Sequence, residues 1–333
     1  MQTAKKIVGI DVGKGKLDIC YPNGQKETVR NIKSCRTKVI KKAAKLGAFI
    51  AFEATGPYEE PLADECLARS VRAVRLDAWK TRRFAESQGR IEKTDAIDCE
   101  MIRDYAASLK DEKLHFVKPR SEAQKRLKKA VKTRKNLLKA RAIIANQFED
   151  DLDPETARHL RSALASLDRN IAKVEAECDA AIASDERLRE LDGRFREVKG
   201  VGPCLSRMML AQCPDIGDFN SKSVAKMCGN APLDHESCTL KGKAKPRRGR
   251  SDLKKALYMA AVSASRNNHI LREFYQRLVA NGKPRKVALT AVARRIAVLL
   301  NTIAKHPDFK PAQDPKTAAK TSRAKRGRPR KAK

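Results

Sequence analysis

The middle of the chain limits its fold more than any other feature, because the stretch from Pro119 to Leu191 is almost free of glycine and rich in Ala, Leu, Lys, Arg and Glu. Such a composition favours long helices. In its second half, apolar residues alternate at steps of four and three, the repeat of a heptad seam: Leu160, Leu164, Leu167, Ile171, Val174 and Cys178. Because the segment from Asp151 to Pro154 breaks the pattern, we predict a helical coiled-coil hairpin over residues 119–192. It would project from the core or pair with another subunit; a helical linker packed on its own domain is the alternative.

The first 118 residues have a different pattern, in which short apolar strands alternate with helical stretches. Lys6 to Asp11 and Ala48 to Phe52 are typical of buried strands, and Asn23-Gly24 offers a hairpin turn between two further strands. Helices are predicted from about Tyr58 to Ser70 and from about Thr94 to Ser108. The pattern predicts an α/β domain with an early meander of strands over residues 1–118.

The remainder divides into a mostly α C-terminal domain over residues 193–308, with a loop-rich centre from Gly229 to Arg250, and a tail over residues 309–333. The tail is basic and of low complexity, and we expect it to be disordered on its own. Its Arg326-Gly327-Arg328-Pro329-Arg330 run resembles an AT-hook, which places arginines in a narrow minor groove of A·T-rich DNA. An unspecific basic tail is the alternative.

The charge of the chain points to a nucleic-acid partner. Lys and Arg number 73 against 40 Asp and Glu, a formal net charge of +33. Such an excess attracts polyanions, because neutralising phosphates releases condensed counterions. No run of 18 apolar residues exists, and the longest candidate, Val287 to Ile303, carries Arg294 and Arg295 in its middle. We therefore expect no membrane span. The nine cysteines form no Cys-x-x-Cys pair, so we expect reduced thiols and a cytoplasmic location.

Four carboxylates are the candidate metal ligands. Asp11 and Glu53 each end a predicted buried strand, where α/β folds expose functional side chains. Asp95 and Asp98 lie three residues apart on one helix face. An oxygen-rich set without His or Cys suits Mg²⁺ or Mn²⁺, and two such ions can promote phosphoryl transfer. Helix capping by the Asp-x-x-Asp pair and a solvated loop acid at Glu53 are the alternatives.

Two segments of the C-terminal domain are candidate nucleic-acid contacts. The glycines of Gly200-Val201-Gly202 fit a helix-hairpin-helix turn, in which backbone N–H groups approach phosphate; a plain helix–helix turn is an equal alternative. The second segment is a basic run that enters a helix: Lys241, Lys243, Lys245, Arg247, Arg248 and Arg250. Ser237 lies just before it and, judged from composition alone, is an ordinary loop serine.

Five segments carry a family resemblance. GIDVGKGKLDIC, FEATGPYEEPL and GRIEKTDAIDCEMIRDY resemble the three blocks of the Asp-Glu-Asp-Asp (DEDD) transposases of the insertion-sequence 110 group. ALYMAA and FYQRLVANGKPRKVALTAVARR resemble the C-terminal block of the same family, and the likeness spans roughly residues 5–305. The resemblance implies a ribonuclease-H-like (RuvC-like) first domain, with Asp11, Glu53, Asp95 and Asp98 binding divalent metal.

In the C-terminal block, the resemblance implies that Ser237 is a nucleophile, with Glu236 before it. Cys238 stands where the family usually has Gly, and a cysteine restricts the backbone more than glycine does. Cys238 is a poorly motivated alternative nucleophile.

The resemblance also implies a DNA transposase or recombinase that works as a homo-oligomer, a dimer or a tetramer, with a structured non-coding bridge RNA. Two alternatives stay open at this point. One is a RuvC-like nuclease in which water attacks the phosphate, and the other is a non-catalytic nucleic-acid-binding protein.

Overall fold

The computed structural model describes residues 5–54, 56, 58–90, 95–148, 152–237, 240–246 and 249–311, and for residues 95–97, 232–237 and 240–246 it describes the backbone. The contacts divide the chain into two compact units, residues 1–119 and 120–333. Each unit has its own core, so each is described by itself.

The first unit is built on a five-stranded sheet. Its strands are β1 (Ile7–Val12), β2 (Lys16–Cys20), β3 (Lys26–Arg30), β4 (Phe49–Glu53) and β5 (Ala73–Leu76). The spatial order is β3-β2-β1-β4-β5, with β1, β2 and β3 antiparallel and β1, β4 and β5 parallel. This arrangement confirms the predicted α/β organisation and is consistent with a ribonuclease-H-like domain.

Helices cover both faces of this sheet: α1 (Lys33–Lys45), α2 (Glu60–Ala68), α3 (Ala78–Ser87) and α4 (Asp95–Ser108). Alternate residues of a strand point to opposite faces, so β1 contributes to two cores. Val8 and Ile10 pack with residues of α1 and α2. Ile7 packs on the other face with Ile102 of α4. Asp11 therefore shares the α4 face with Ile7 and Gly9.

The second unit is mainly helical. Its helices are α5 (Glu122–Ala145), α6 (Pro154–Ala183), α7 (Glu186–Arg196), α8 (Pro203–Gln212), α9 (Ser221–Met227), α10 (Ser251–Asn267), α11 (His269–Ala280) and α12 (Arg285–Lys305). They share one apolar core, to which both α5 and α6 contribute.

The two long helices α5 and α6 pack against each other. Helix α5 ends and α6 begins around the segment that the sequence predicts to interrupt the helical pattern. Arg134 Nε donates to Glu175 Oε1 at 2.5 Å across the pair. Of the predicted seam, Val174 and Cys178 are buried. Its other four residues, Leu160, Leu164, Leu167 and Ile171, are half-buried. The coiled-coil geometry stays a prediction.

The centre of the second unit differs from the predicted loop. Its backbone forms an antiparallel hairpin of β6 (Pro232–Ser237) and β7 (Leu240–Pro246), with an irregular register between Leu233 and His235. The signal was present in the sequence, because Lys241, Lys243 and Lys245 alternate with small residues or proline at the two-residue period of a strand.

Helix α12 is the one described helix with the length and mean hydropathy to cross a membrane. Eight of its residues are buried in the core of the second unit, among them Ile296 and Leu300, which identifies it as a core helix. None of the eight cysteines within the described residues forms a disulfide. Burial raises the pKa of the Cys66, Cys99 and Cys228 thiols to about 12, so these thiols stay protonated at neutral pH.

Candidate active site

Asp11 and Glu53 lie side by side at one edge of the sheet. In the parallel pairing of β1 with β4, the register runs from Ile7 opposite Phe49 to Ile10 opposite Phe52. Asp11 and Glu53 are the next residues on the two strands, and both side chains are half-buried. Neighbouring parallel strands end at the same edge, so these two carboxylates share it.

Helix α4 crosses directly over β1 at Gly9. A Cβ atom at Gly9 would lie 2.2 Å from the backbone oxygen of Cys99 and 2.7 Å from the nitrogen of Arg103. No other amino acid fits this gap without moving the helix. Gly9 therefore sets how closely α4 approaches the strand that ends in Asp11.

The direction of α4 decides which of its ends lies near the carboxylates. Cys99 lies over Gly9, whereas Leu109, just past the end of the helix, accepts a hydrogen bond from Lys5 Nζ at 2.5 Å, before the start of β1. The helix thus runs antiparallel to β1, and its first turn points toward the Asp11 end. Asp98 directly precedes Cys99, and Asp95 is the first residue of the helix. The start of α4, which carries Asp95 and Asp98, therefore lies toward the same end of the sheet as Asp11 and Glu53.

Polar contacts attach α4 to the side of the sheet that is formed by β2 and β3. Arg103 donates to Cys20 Sγ at 3.0 Å and to the Tyr21 oxygen at 3.3 Å. Lys26 donates to Glu100 Oε2 at 2.9 Å. The hydrogen bond from Lys26, with a second from Arg90, lowers the pKa of the Glu100 carboxyl, so this pairing persists at neutral pH.

Asp18 is a further carboxylate at this edge, which the sequence analysis did not single out. It lies opposite Asp11 in the antiparallel register of β1 and β2, so the two side chains share a face. Asp18 is buried, accepts a hydrogen bond from Thr28 Oγ1 at 2.6 Å and lies 3.3 Å from Lys16 Nζ. The signal was an acid inside an otherwise apolar strand, Leu17 to Tyr21.

The chemistry of this set suits a hard divalent cation, since every candidate ligand is a carboxylate oxygen. Among the side chains that the structure describes, no three His, Cys, Asp or Glu residues lie close enough together to hold an ion. The Asp95 side chain is outside that set. The backbone places the acids toward one end of the sheet, and the metal site itself stays a prediction.

Ser237 ends strand β6, opposite Leu240 of β7. Cys238 lies outside the described residues. The base of the hairpin is close-packed: Gly249 has φ +82°, and a Cβ there would lie 2.3 Å from the Gly229 nitrogen. Arg250 N donates to the Met227 oxygen at 3.2 Å, which ties the chain after the hairpin to the chain before it.

Of the basic residues predicted to contact nucleic acid, the structure describes four. Lys241, Lys243 and Lys245 belong to β7. Arg250 is exposed, and its guanidinium donates to the Gln212 oxygen and to Cys213 Sγ, so it also holds the end of α8. The others, Arg247, Arg248, Arg326, Arg328 and Arg330, lie outside the described residues.

The two glycines of the predicted helix-hairpin-helix turn differ in their surroundings. They lie between α7 and α8, so the predicted turn does join two helices. Gly200 has φ +104°, and a Cβ there would lie 2.6 Å from the Ala264 Cβ of α10. Gly202 precedes α8 and has open space around it. Packing against α10 accounts for glycine at position 200, whereas Gly202 has room for a side chain. Phosphate binding by either backbone N–H group stays a prediction.

Comparisons with known proteins identify the class of enzyme to which the chain belongs. A family model described as a transposase, of the DEDD type of IS110, matches residues 8–154. A second model, described as the transposase IS116/IS110/IS902 family, matches residues 192–276. The chain belongs to the IS110 family of transposases. DEDD transposase domains typically use divalent metal ions.

Two relatives match along most of their length. The pilin gene-inverting protein of Moraxella lacunata is 23% identical over 318 residues, which covers 89% of this chain and 94% of the relative. The protein of the same name from Moraxella bovis is 23% identical over 321 residues, with the same shares covered. Both units of the chain are therefore present in the relatives.

Proposed function

We propose that this enzyme moves or inverts DNA segments by strand exchange, with Asp11, Glu53, Asp95 and Asp98 binding Mg²⁺ or Mn²⁺ and Ser237 acting as the nucleophile. The observation that carries the proposal is the crossing at Gly9, because it directs the first turn of α4 toward Asp11 and Glu53. The metal would supply charge for phosphate binding and transition-state stabilisation.

The serine step conserves bond energy. Ser237 Oγ would lose its proton and bond to the scissile phosphorus, while the bond from phosphorus to the sugar oxygen breaks and that oxygen takes up a proton. The products are a phosphoserine link to one strand end and a hydroxyl on the other. Reversing the step with a new strand end rejoins DNA without an external energy source. The basic residues around Ser237 would stabilise the charge that develops on the phosphate.

The partners follow from charge and family. We propose DNA as substrate, a bridge RNA that guides the choice of donor and target, a homo-oligomeric complex, and a cytoplasmic enzyme that is nucleoid-associated when bound to DNA. The net charge of +33 suits both nucleic acids and does not distinguish them.

A supercoiled-plasmid recombination assay tests this function. The reaction contains Mg²⁺ and RNA transcribed from the DNA that flanks the gene. Asp11→Ala and Ser237→Ala should each reduce recombination by roughly 10³-fold or more, as losses of a metal ligand or nucleophile do. The matched controls Asp64→Ala, at an exposed position of α2, and Ser223→Ala, at an exposed position of α9, should recombine like wild type. Wild-type recombination by both Asp11→Ala and Ser237→Ala would refute the mechanism.

The second candidate is a nuclease in which water attacks the phosphate. The likeness of the first unit to a ribonuclease-H-like domain favours it. It predicts free 3′-hydroxyl ends, no covalent protein–DNA adduct, and no effect of Ser237→Ala on cleavage.

A further inference from the structure

Trp79 is the one tryptophan of the chain, and its side chain is 46% exposed. It lies in the first turn of α3, where Asp77 accepts a hydrogen bond from the Trp79 backbone nitrogen at 3.0 Å. The buried face of α3 is formed by other residues: Thr81 and Ala85 are buried, and Phe84 packs against Tyr105 of α4 with ring centroids 5.5 Å apart.

Trp79 lies close in the chain to the carboxylate edge, the edge of the sheet at which the strands end in Asp11 and Glu53. Glu53 lies opposite Leu76 in the register of β4 and β5, and the nitrogen of Ala54 donates to the Leu76 oxygen at 3.1 Å. Trp79 follows Leu76 by three residues. An open cleft is lined by Ala54, which directly follows Glu53, and by Arg75, Leu76, Asp77 and Ala78, which directly precede Trp79.

The surroundings of Trp79 are basic. The guanidinium carbon of Arg83 lies 5.3 Å from the centre of the Trp79 ring system. Lys80 and Arg82 lie on the same helix, against a single acid, Glu86, which both Arg82 and Arg83 approach. An exposed aromatic ring beside cationic side chains is the arrangement with which proteins stack unpaired bases while attracting the phosphates next to them.

Single exposed apolar side chains are ordinary on protein surfaces. Trp79 differs because an indole, an arginine over its ring, a net positive helix and a cleft next to Glu53 occur together. We propose that Trp79 stacks on an unpaired base of the DNA strand that is held at the carboxylate edge. This inference rests on the enzyme's action on DNA and is independent of the nucleophile.

Because the chain has one tryptophan, its fluorescence reports this site directly. The full-length protein is titrated in EDTA with oligothymidylate, with a duplex of the same length and with oligouridylate. Oligothymidylate should quench the emission strongly and the duplex weakly, in a salt-dependent way. Neither metal chemistry nor Ser237 is needed for binding, so failure here and failure of the proposed function are distinguishable.

Variants give the size of the effect by fluorescence anisotropy of labelled oligothymidylate. Trp79→Ala should weaken binding roughly 5- to 150-fold, the range of one base–aromatic stack. Trp79→Phe keeps an aromatic ring and should lose less. Leu46→Ala is the matched control, because it truncates an exposed apolar side chain beside α1, on the opposite face of the sheet. It should bind like wild type.

Four results would overturn the proposal. One is oligothymidylate binding without quenching of wild-type emission. A second is unchanged affinity in Trp79→Ala. A third is quenching by oligouridylate and not by oligothymidylate, which would assign the site to RNA. The last is an emission shift to shorter wavelength as protein concentration rises without DNA, which would show that a second copy covers Trp79.

Discussion

The two units support their candidate chemistry by different means. In the first unit, Asp11 and Glu53 end neighbouring strands of a five-stranded sheet that is covered on both faces. In the second unit, Ser237 lies on a two-stranded hairpin, joined to the helical core through Gly229 and Gly249. An isolated two-stranded hairpin is only marginally stable, whereas a covered sheet is rigid.

The difference indicates where each half of the reaction is vulnerable. The acids depend on how closely a helix approaches a strand, which one glycine, Gly9, determines. The position of Ser237 depends on two contacts at the base of its hairpin, Gly249 against Gly229 and the Arg250 nitrogen with the Met227 oxygen. Substitutions at glycines that are not themselves predicted catalytic residues should therefore remove activity through one unit and leave the other folded.

The largest effect is expected from Gly9→Ala. Its Cβ would meet the backbone of Cys99 at 2.2 Å, so α4 must move away from β1. We expect a loss of about 3 kcal/mol or more in unfolding free energy and no detectable recombination. Gly15→Ala is the control, because a Cβ there meets nothing within 4 Å. Urea denaturation and the plasmid assay measure both quantities, and equal behaviour of the two variants would refute the role of Gly9.

A smaller loss of stability is expected from Gly249→Ala. The left-handed φ of +82° costs an alanine about 1–2 kcal/mol, and the contact with Gly229 adds to this. We expect recombination to fall at least tenfold while the first unit keeps its stability. Gly282→Ala isolates the backbone cost, since Gly282 has φ +74° and open space around it. If both variants lose the same activity, the hairpin base has no special role.

The two glycines of the turn between α7 and α8 give a matched pair of variants. Gly200→Ala should cost about 2–4 kcal/mol, because φ is +104° and the Cβ would overlap Ala264. Gly202→Ala should change stability by less than about 1 kcal/mol, since it has room for a Cβ. Thermal unfolding and DNA affinity are measured together. Weaker DNA binding by Gly202→Ala at unchanged stability would support a phosphate contact there, and unchanged binding would remove it.

The smallest expected effect is a difference in the rates at which two cysteine thiols react. Cys204 is exposed and should react with maleimide at pH 8 well before Cys99, which is buried and whose pKa is raised to about 12 by burial. The thiolate fraction of Cys99 grows only as the pH approaches 12. Peptide mapping after timed labelling measures the two rates. Cys99 should become reactive in Gly9→Ala and stay protected in Gly15→Ala; fast labelling of wild-type Cys99 would contradict the packing of α4 on β1.

Several parts of the fold and site were predictable because local patterns carry them. The strands that end at Asp11 and Glu53 are short apolar runs, and the three-residue spacing of Asp95 and Asp98 places them on one face of a helix. The break between α5 and α6 is visible as an acidic, proline-containing segment.

Other parts depend on pairing between distant residues. The register that places Asp18 opposite Asp11 is set by strand pairing, which no local pattern specifies. The close approach at Gly9 likewise depends on a helix that begins some 85 residues later. The β6–β7 hairpin is a local pairing, and its two-residue alternation of lysines is visible in the sequence, but glycine, proline and lysine are poor strand formers and favour a loop. The close approach of Gly200 to Ala264, which requires glycine there, likewise depends on a residue distant in the sequence.

The central claim is that Ser237 attacks DNA in a reaction that also needs the acids of the first unit. The direct measurement is trapping of a covalent protein–DNA adduct on labelled DNA in Mg²⁺, followed by mapping of the modified peptide. We expect a phosphoserine at Ser237, absent in Ser237→Ala and strongly reduced in Asp11→Ala. Strand cleavage without any adduct, or an adduct that persists in Ser237→Ala, would contradict it.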